Sequence, residues 1–309
     1  MNLRVTSLFV YLLVAIGIVF NLISPPVALL TGMAFGLLGV FQGLNQSSGS
    51  LQKILLKASV IGLGFGIGYR EAIEVGSQSF LISFLTIVCT FIVAFGASRF
   101  LTTENKLTML IASGTAICGG SAIAAVSPGI KANNSQTSIA LAIVFLLNAI
   151  ALVIFPYIGR MLELSQMQFG LWCALAIHDT SSVVGASEAF GPESLIIATT
   201  TKLVRTLWII PLLIVISFVF KTKGKLEFPW FILGFVAAIL LSSNIPLVAQ
   251  HSDIIVLIAR KLLVFTLFLV GLQITVQKIR ELGIKSLLIG VLAWISLAML
   301  SLVYILVYV

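Results

Sequence analysis

The sequence predicts an all-α polytopic membrane protein, a helical bundle with an inverted repeat and two interrupted helices. Three observations carry this prediction. Of 309 residues, 60% are hydrophobic and 9% charged, with a mean hydropathy of +1.18; a soluble domain carries about 25% charged residues. Apolar stretches long enough to cross a bilayer recur along the whole chain. Two polar breaks, Ile117-Cys118-Gly119-Gly120-Ser121-Ala122-Ile123 and Ile177-His178-Asp179-Thr180-Ser181-Ser182-Val183, lie midway through otherwise apolar segments.

A spanning helix needs about 20 apolar residues to cross about 30 Å of hydrocarbon. On that measure full spans fall at 6–22, 25–42, 52–69, 77–99, 135–158, 193–220, 228–243, 253–274 and 284–308, and the interrupted segments at 105–131 and 166–190. Leu8 to Leu22 runs into Pro25-Pro26 without a small-x-small cleavage site, and is expected to be a retained first helix. The longest polar loop is expected at Gly43 to Gly49. Residues 1–309 are read as one transmembrane domain with no soluble module.

At an offset of 207 residues, Leu55-Leu56 matches Leu262-Leu263, and Gly64, Ile67, Glu74, Gly76 and Ser79 match Gly271, Ile274, Glu281, Gly283 and Ser286. The polar breaks form a second repeat, Ser121 against Ser181, each followed by a long apolar helix containing Pro156 or Pro211. If the interrupted segments are hairpins that leave on the side they entered, both repeats are inverted, with one pseudo-two-fold axis in the membrane plane. If they cross, the second repeat is parallel. Lys and Arg place the N-terminus inside, with Arg4, Lys53, Arg99, Lys106, Lys131, Lys278, Arg280, Lys285 and the run Lys221-Thr222-Lys223-Gly224-Lys225 on the inner face. The outer face keeps mainly Arg70 and Arg160.

Several function classes are excluded by what the chain lacks. The net charge of +8 is spread over short loops without a basic, aromatic-interleaved stripe, so nucleic acid is not an expected partner. Cys89, Cys118 and Cys173 form no CxxC and have no paired His ligands, which argues against a disulfide or a metal site. Two histidines and few carboxylates leave no hydrolase constellation, and no P-loop is present. Neither an enzyme nor a cofactor is expected.

Chemistry concentrates at the breaks and in one helix. Lipid cannot hydrogen-bond an unwound backbone, so such breaks persist only where protein or a water-filled cavity satisfies them. Lys202 lies about 14 Å into the span that starts near Glu193, close to the midplane, with Arg205 three residues further on. A cation there costs roughly 2.5–3.5 kcal/mol on insertion scales, and the i, i+3 spacing puts both on one face. They point to a bound anion; the plainer reading pairs them with Asp179 and backbone carbonyls. Asp179 is either an ion-pair or proton-exchanging group or an N-cap of a new half-helix. His178 is a proton-carrier candidate. Cys118, Gly119, Gly120, Ser121, Ser181 and Ser182 lie where half-helices begin, and free N–H groups with the positive dipole end favour anions there. Gly114, Ala122 and Ala125 suit close helix packing. Lys131 reads as a positive-inside anchor and Asn148 as an interhelical hydrogen bond. Lys53, Lys57, Arg260 and Lys261 read as snorkelling residues near helix ends.

Four motifs in order, Ser113-Gly114-Thr115-Ala116-Ile117-Cys118-Gly119-Gly120-Ser121-Ala122, Pro128-Gly129-Ile130-Lys131-Ala132, His178-Asp179-Thr180-Ser181-Ser182-Val183-Val184 and Lys202-Leu203-Val204-Arg205, resemble the YeiH-like sulfate exporter family over nearly the whole chain. Some members of that family carry an acid just before the motif proline, where this chain has Ser127. The resemblance implies a bacterial inner-membrane secondary transporter, distantly similar to cation–proton antiporters and bile-acid-type symporters, with scaffold and core bundles interleaved in sequence. The expectation is alternating-access transport of a small anion: a sulfate-like oxyanion, sulfonate or carboxylate. Its binding residues are Cys118, Gly119, Gly120, Ser121, His178, Ser181, Ser182, Lys202 and Arg205, with His178 and Asp179 coupling protons if coupling exists. A homodimer is compatible with this plan. The rival readings are a cation–proton antiporter using Asp179 and a non-transporting membrane sensor.

Overall fold

Helices form every regular element among the described residues of the computed structural model, which are 12–18, 20, 22–38, 45–220, 230–273, 276 and 283–309. In order these are α1 (12–18), α2 (Pro25–Leu37), α3 (Asn45–Gly64), α4 (Tyr69–Leu101), α5 (Asn105–Ala116), α6 (Gly120–Gly129), α7 (Asn134–Met161) and α8 (Gln166–Ala176). They continue with α9 (Thr180–Phe190), α10 (Pro192–Leu207), α11 (Ile209–Phe220), α12 (Trp230–Asn244), α13 (Pro246–Ala249), α14 (Ser252–Leu272) and α15 (Ile284–Tyr308). The expected positions of Arg4, the inner-face run at 221–225, Lys278, Arg280 and the repeat partners Ile274 and Glu281 lie outside the described residues.

Among the described residues, five stretches are long and apolar enough to cross a membrane: Ala72–Leu101, Asn134–Met161, Pro192–Phe220, Ser252–Leu272 and Ile284–Tyr308. Their outward faces are greasy, with Phe100 90% and Phe218 80% exposed; apolar surface on that scale belongs against lipid. The spans expected at 52–69 and 228–243 are shorter as apolar helices, Ile54–Gly64 and Trp230–Asn244. Gly64, Gly66 and Gly68 unwind the first, and Asn244 with Pro246 ends the second. The span at 193–220 pauses for one residue at Trp208. The ring of Pro211 crowds the carbonyl four residues earlier, that of Leu207, which is where α10 stops.

The chain folds into two compact units. The first comprises residues 1–73 and 229–276. Here α2 and α3 both pack on α14, and α12 packs on α3. Gly32 and Gly271 let α2 and α14 touch backbone to backbone. A Cβ on Gly32 would overlap the carbonyl of Phe268, and one on Gly271 the carbonyl of Leu29. Phe268, Leu269 and Leu272 seal this contact with Val14, Ile18 and Ala28. Lys261 does not snorkel from a helix end: it lies midway along α14 and donates to the carbonyl of Ile18, at the end of α1.

The second unit comprises residues 74–228 and 277–309. Its core runs through Leu110, Ile111, Ile123, Val144, Leu147, Ile209, Ile289 and Ala293. Asn133 and Ser165 start α7 and α8 with capping boxes completed by Gln136 and Gln168. α7 has 28 residues, and so is about 42 Å long.

Candidate functional site

Both polar breaks fold back. Gly119 takes φ 67°, ψ −127° between α5 and α6, a backbone conformation open essentially to glycine alone. The chain reverses there: Gly114 faces Ile123 across the break. At the far ends Lys106 donates to the carbonyl of Lys131 at 2.9 Å. Residues 25 apart along a straight path would be about 37 Å apart, so the start of α5 and the end of α6 lie side by side. The pair α8 and α9 does the same. Cys173 Sγ donates to Val183 O across the break at 3.4 Å, and Gln166 Oε1, at the start of α8, accepts from Glu193 N just beyond α9.

The hairpins open at opposite ends of α7. Gln136, in its first turn, bonds Glu104 beside the start of α5, and Arg160, in its last turn, donates to Ala189 O near the end of α9. Halfway along α7, Asn148 Oδ1 accepts from Asp179 N at 3.1 Å, the interhelical bond expected of that amide. The tips therefore meet near the middle of α7. A Cβ on Gly119 would lie 3.2 Å from Asp179 Cβ and 3.3 Å from its Cα.

Four half-helix ends converge at the tips. The carbonyl ends carry partial negative charge and the amide ends partial positive charge, roughly half a unit each. Lys202 and Arg205, both fully buried on α10, face the carbonyl ends. Lys202 Nζ donates to Ile177 O at 2.6 Å and Ala174 O at 3.2 Å, at the end of α8. Arg205 Nε donates to Ala116 O, the last residue of α5, at 2.8 Å, and its Nη1 to Thr86 Oγ1 at 2.8 Å. Trp294 Nε1 takes a further carbonyl, Ala176 O, at 3.0 Å. Backbone carbonyls thus take hydrogen bonds from both cations, as the plainer reading expects, but a carbonyl has no net charge with which to offset the second cation.

The amide ends differ. Asp179 is the N-cap of α9, accepting from Ser181 N at 3.1 Å and from the Ser181 hydroxyl. Gly119 caps α6 without a side chain; Gly120 is half-buried and Ser121 exposed. Thus Cys118, Gly119, His178, Asp179, Ser181, Ser182, Lys202 and Arg205 gather as a buried group, with Gly120 and Ser121 at its margin. His178 is fully buried, 6.1 Å from the Trp294 ring, and neither ring nitrogen has a partner. Ser182 Oγ, Arg205 Nη2 and Asn148 Nδ2 are likewise buried without partners. Among the described residues no cluster of His, Cys, Asp and Glu could hold a metal ion.

Sequence reasoning passed over two residues of this site. Thr86 belongs to a buried hydroxyl stripe on α4, Ser79, Ser83, Thr86 and Thr90, whose 4-3-4 spacing is a legible signal. Trp294 stands mid-span on α15, whereas membrane tryptophans favour the interfaces.

The family model described as Conserved hypothetical protein 698 matches residues 3–300. A UPF0324 membrane protein of Photobacterium profundum is 46% identical over 297 residues, covering 96% of this chain and 91% of the relative. Others from Porphyromonas gingivalis and Shewanella oneidensis are each 46% identical, over 92% of this chain and 87% and 90% of their own lengths. No solved structure matches the chain.

Proposed function

The chain belongs to the UPF0324 membrane protein family, and we propose that it is a secondary transporter moving a small anion by alternating access. The candidate cargo is a sulfate-like oxyanion, a sulfonate or a carboxylate. One observation carries the sign of that cargo. The four half-helix ends cancel in pairs, and in their charged forms Lys202 and Arg205 exceed Asp179 by one positive charge in a buried site. Two hairpins entering from opposite ends and meeting at mid-depth suit a site reached from either side in turn. The motif resemblance to sulfate exporters favours the same class. Asp179, engaged as an N-cap, is less suited to hold Na⁺ as a cation–proton antiporter would require.

Orientation follows from charge. Arg99, Lys106, Lys131 and Lys285 stand at the end where the α5–α6 hairpin opens: Lys106 donates to Lys131 O, and Lys285 donates to Thr102 Oγ1, just after Arg99. The positive-inside rule makes that end cytoplasmic, with a cytoplasmic N-terminus and a periplasmic C-terminus in a bacterial inner membrane.

Purified protein in liposomes tests the proposal through flux of sulfate, methanesulfonate and oxalate. Wild type is expected to carry at least one of them, and Lys202→Ala and Arg205→Ala to lose most of it. Unchanged flux in both variants, or Na⁺ flux with no anion flux, would overturn the proposal.

A further inference from the structure

Asn148 does more than join two helices. It lies halfway along α7, about 21 Å from either end, and is 1% exposed. Its Oδ1 is taken by Asp179 N, which fixes the second break. Its NH2 group, with two donors, has no partner. A buried donor left unpaired costs about 1–3 kcal/mol, and an aliphatic side chain would avoid that cost. The segment that Asn148 holds is short of partners too. His178, one residue before Asp179, has neither ring nitrogen bonded, and Ser182 Oγ, one turn after it, is also free. Arg205 keeps Nη2 unused although its Nε and Nη1 are both engaged.

The unused groups share a chemistry. The Asn148 amide and Arg205 Nη2 can only donate, and the Ser182 hydroxyl can donate. A site rich in donors takes a ligand with several oxygen lone pairs. We infer that Asn148 is a specificity-determining ligand of the site: its NH2 donates to an oxygen of a bound oxyanion while its Oδ1 holds the Asp179 backbone in place. This rests on the anion-transport reading and deepens it, because a neutral donor at this place discriminates acceptor-bearing anions from cations.

Asn148→Asp separates the two roles. It keeps an acceptor for Asp179 N and replaces the donors. The experiment measures uptake of radiolabelled sulfate into liposomes, with methanesulfonate and oxalate as further substrates, alongside melting temperature in detergent. The expected result is a KM at least tenfold higher in Asn148→Asp, with a maximal rate close to wild type. Because Asn148→Asp also adds a negative charge to the site, Asn148→Ser, smaller, uncharged and without the amide, must show the same rise in KM, and it serves alone should the Asp variant fail to fold. Wild-type uptake with an unchanged KM in the variant overturns the inference alone. Absence of uptake of all three anions by wild type overturns the transport reading and this inference with it.

Discussion

Gly119→Ala tests the contact between the hairpin tips. At φ 67°, ψ −127° an L side chain is strained by about 1–3 kcal/mol. The new methyl would also meet Asp179 Cβ at 3.2 Å, Cα at 3.3 Å and N at 3.4 Å. Those atoms are anchored by the Asn148 bond and by the α9 cap, so they yield little, and overpacking of this kind adds about 1–3 kcal/mol. The sum is roughly 2–6 kcal/mol, which at about 2–4 °C per kcal/mol lowers the melting temperature by roughly 4–24 °C. In a Cys89→Ser background, which removes the half-buried third thiol, a thiol-reactive dye reads the event where it happens, because Cys118 and Cys173 lie at the two breaks and are 2% and 0% exposed. Thermal scans of membrane proteins report a rate, so all variants are compared at one scan rate. Gly96→Ala, in the last third of α4, is the control. Its Cβ would meet nothing within 4 Å, and it should hold or slightly raise stability. A Gly119→Ala protein melting within 1–2 °C of wild type, or a Gly96→Ala protein falling as far, would refute the tip contact.

Two further outcomes follow from the same geometry. Asp179→Asn should keep the cap, since Asn serves an N-cap as well as Asp, whereas Asp179→Ala should lose about 1 kcal/mol; their melting temperatures, and retained anion flux in the Asn variant, check this, and loss of flux in Asp179→Asn at full stability would show a role for the charge. Gly32→Ala and Gly271→Ala should each force α2 from α14 and lower the yield of folded protein in detergent by size-exclusion profile; normal profiles for both would contradict the close crossing.

Much of the plan was legible in residues. Gly119-Gly120 and His178-Asp179 marked both breaks to the residue, because glycine pairs and acids are costly inside an apolar helix. The depth of Lys202 and Arg205 could be counted from the helix start. Their partners could not, since Ala116, Ala174 and Ile177 contribute carbonyls, and every residue has one. The choice between folding back and crossing was equally hidden. It rests on contacts such as Lys106 with Lys131 and Gln166 with Glu193, between polar residues that hydropathy treats only as segment ends. Arg260 and Lys261, expected near a helix end, both lie midway along α14. Span length was overestimated where Gly66 and Gly68 continue an apolar run after the helix has stopped at Gly64.

Lys202 and Arg205 stand one helical turn apart on α10, and each grips a different hairpin: Lys202 the end of α8, Arg205 the end of α5. The two tips are thus pinned to a single rod. Sliding one past the other would break charge-assisted bonds at buried carbonyls, each worth about 1.5–3 kcal/mol, while carrying both along with α10 breaks none of them. Mechanically, α10 couples the two tips, so that a shift of this one helix acts on both hairpins at once.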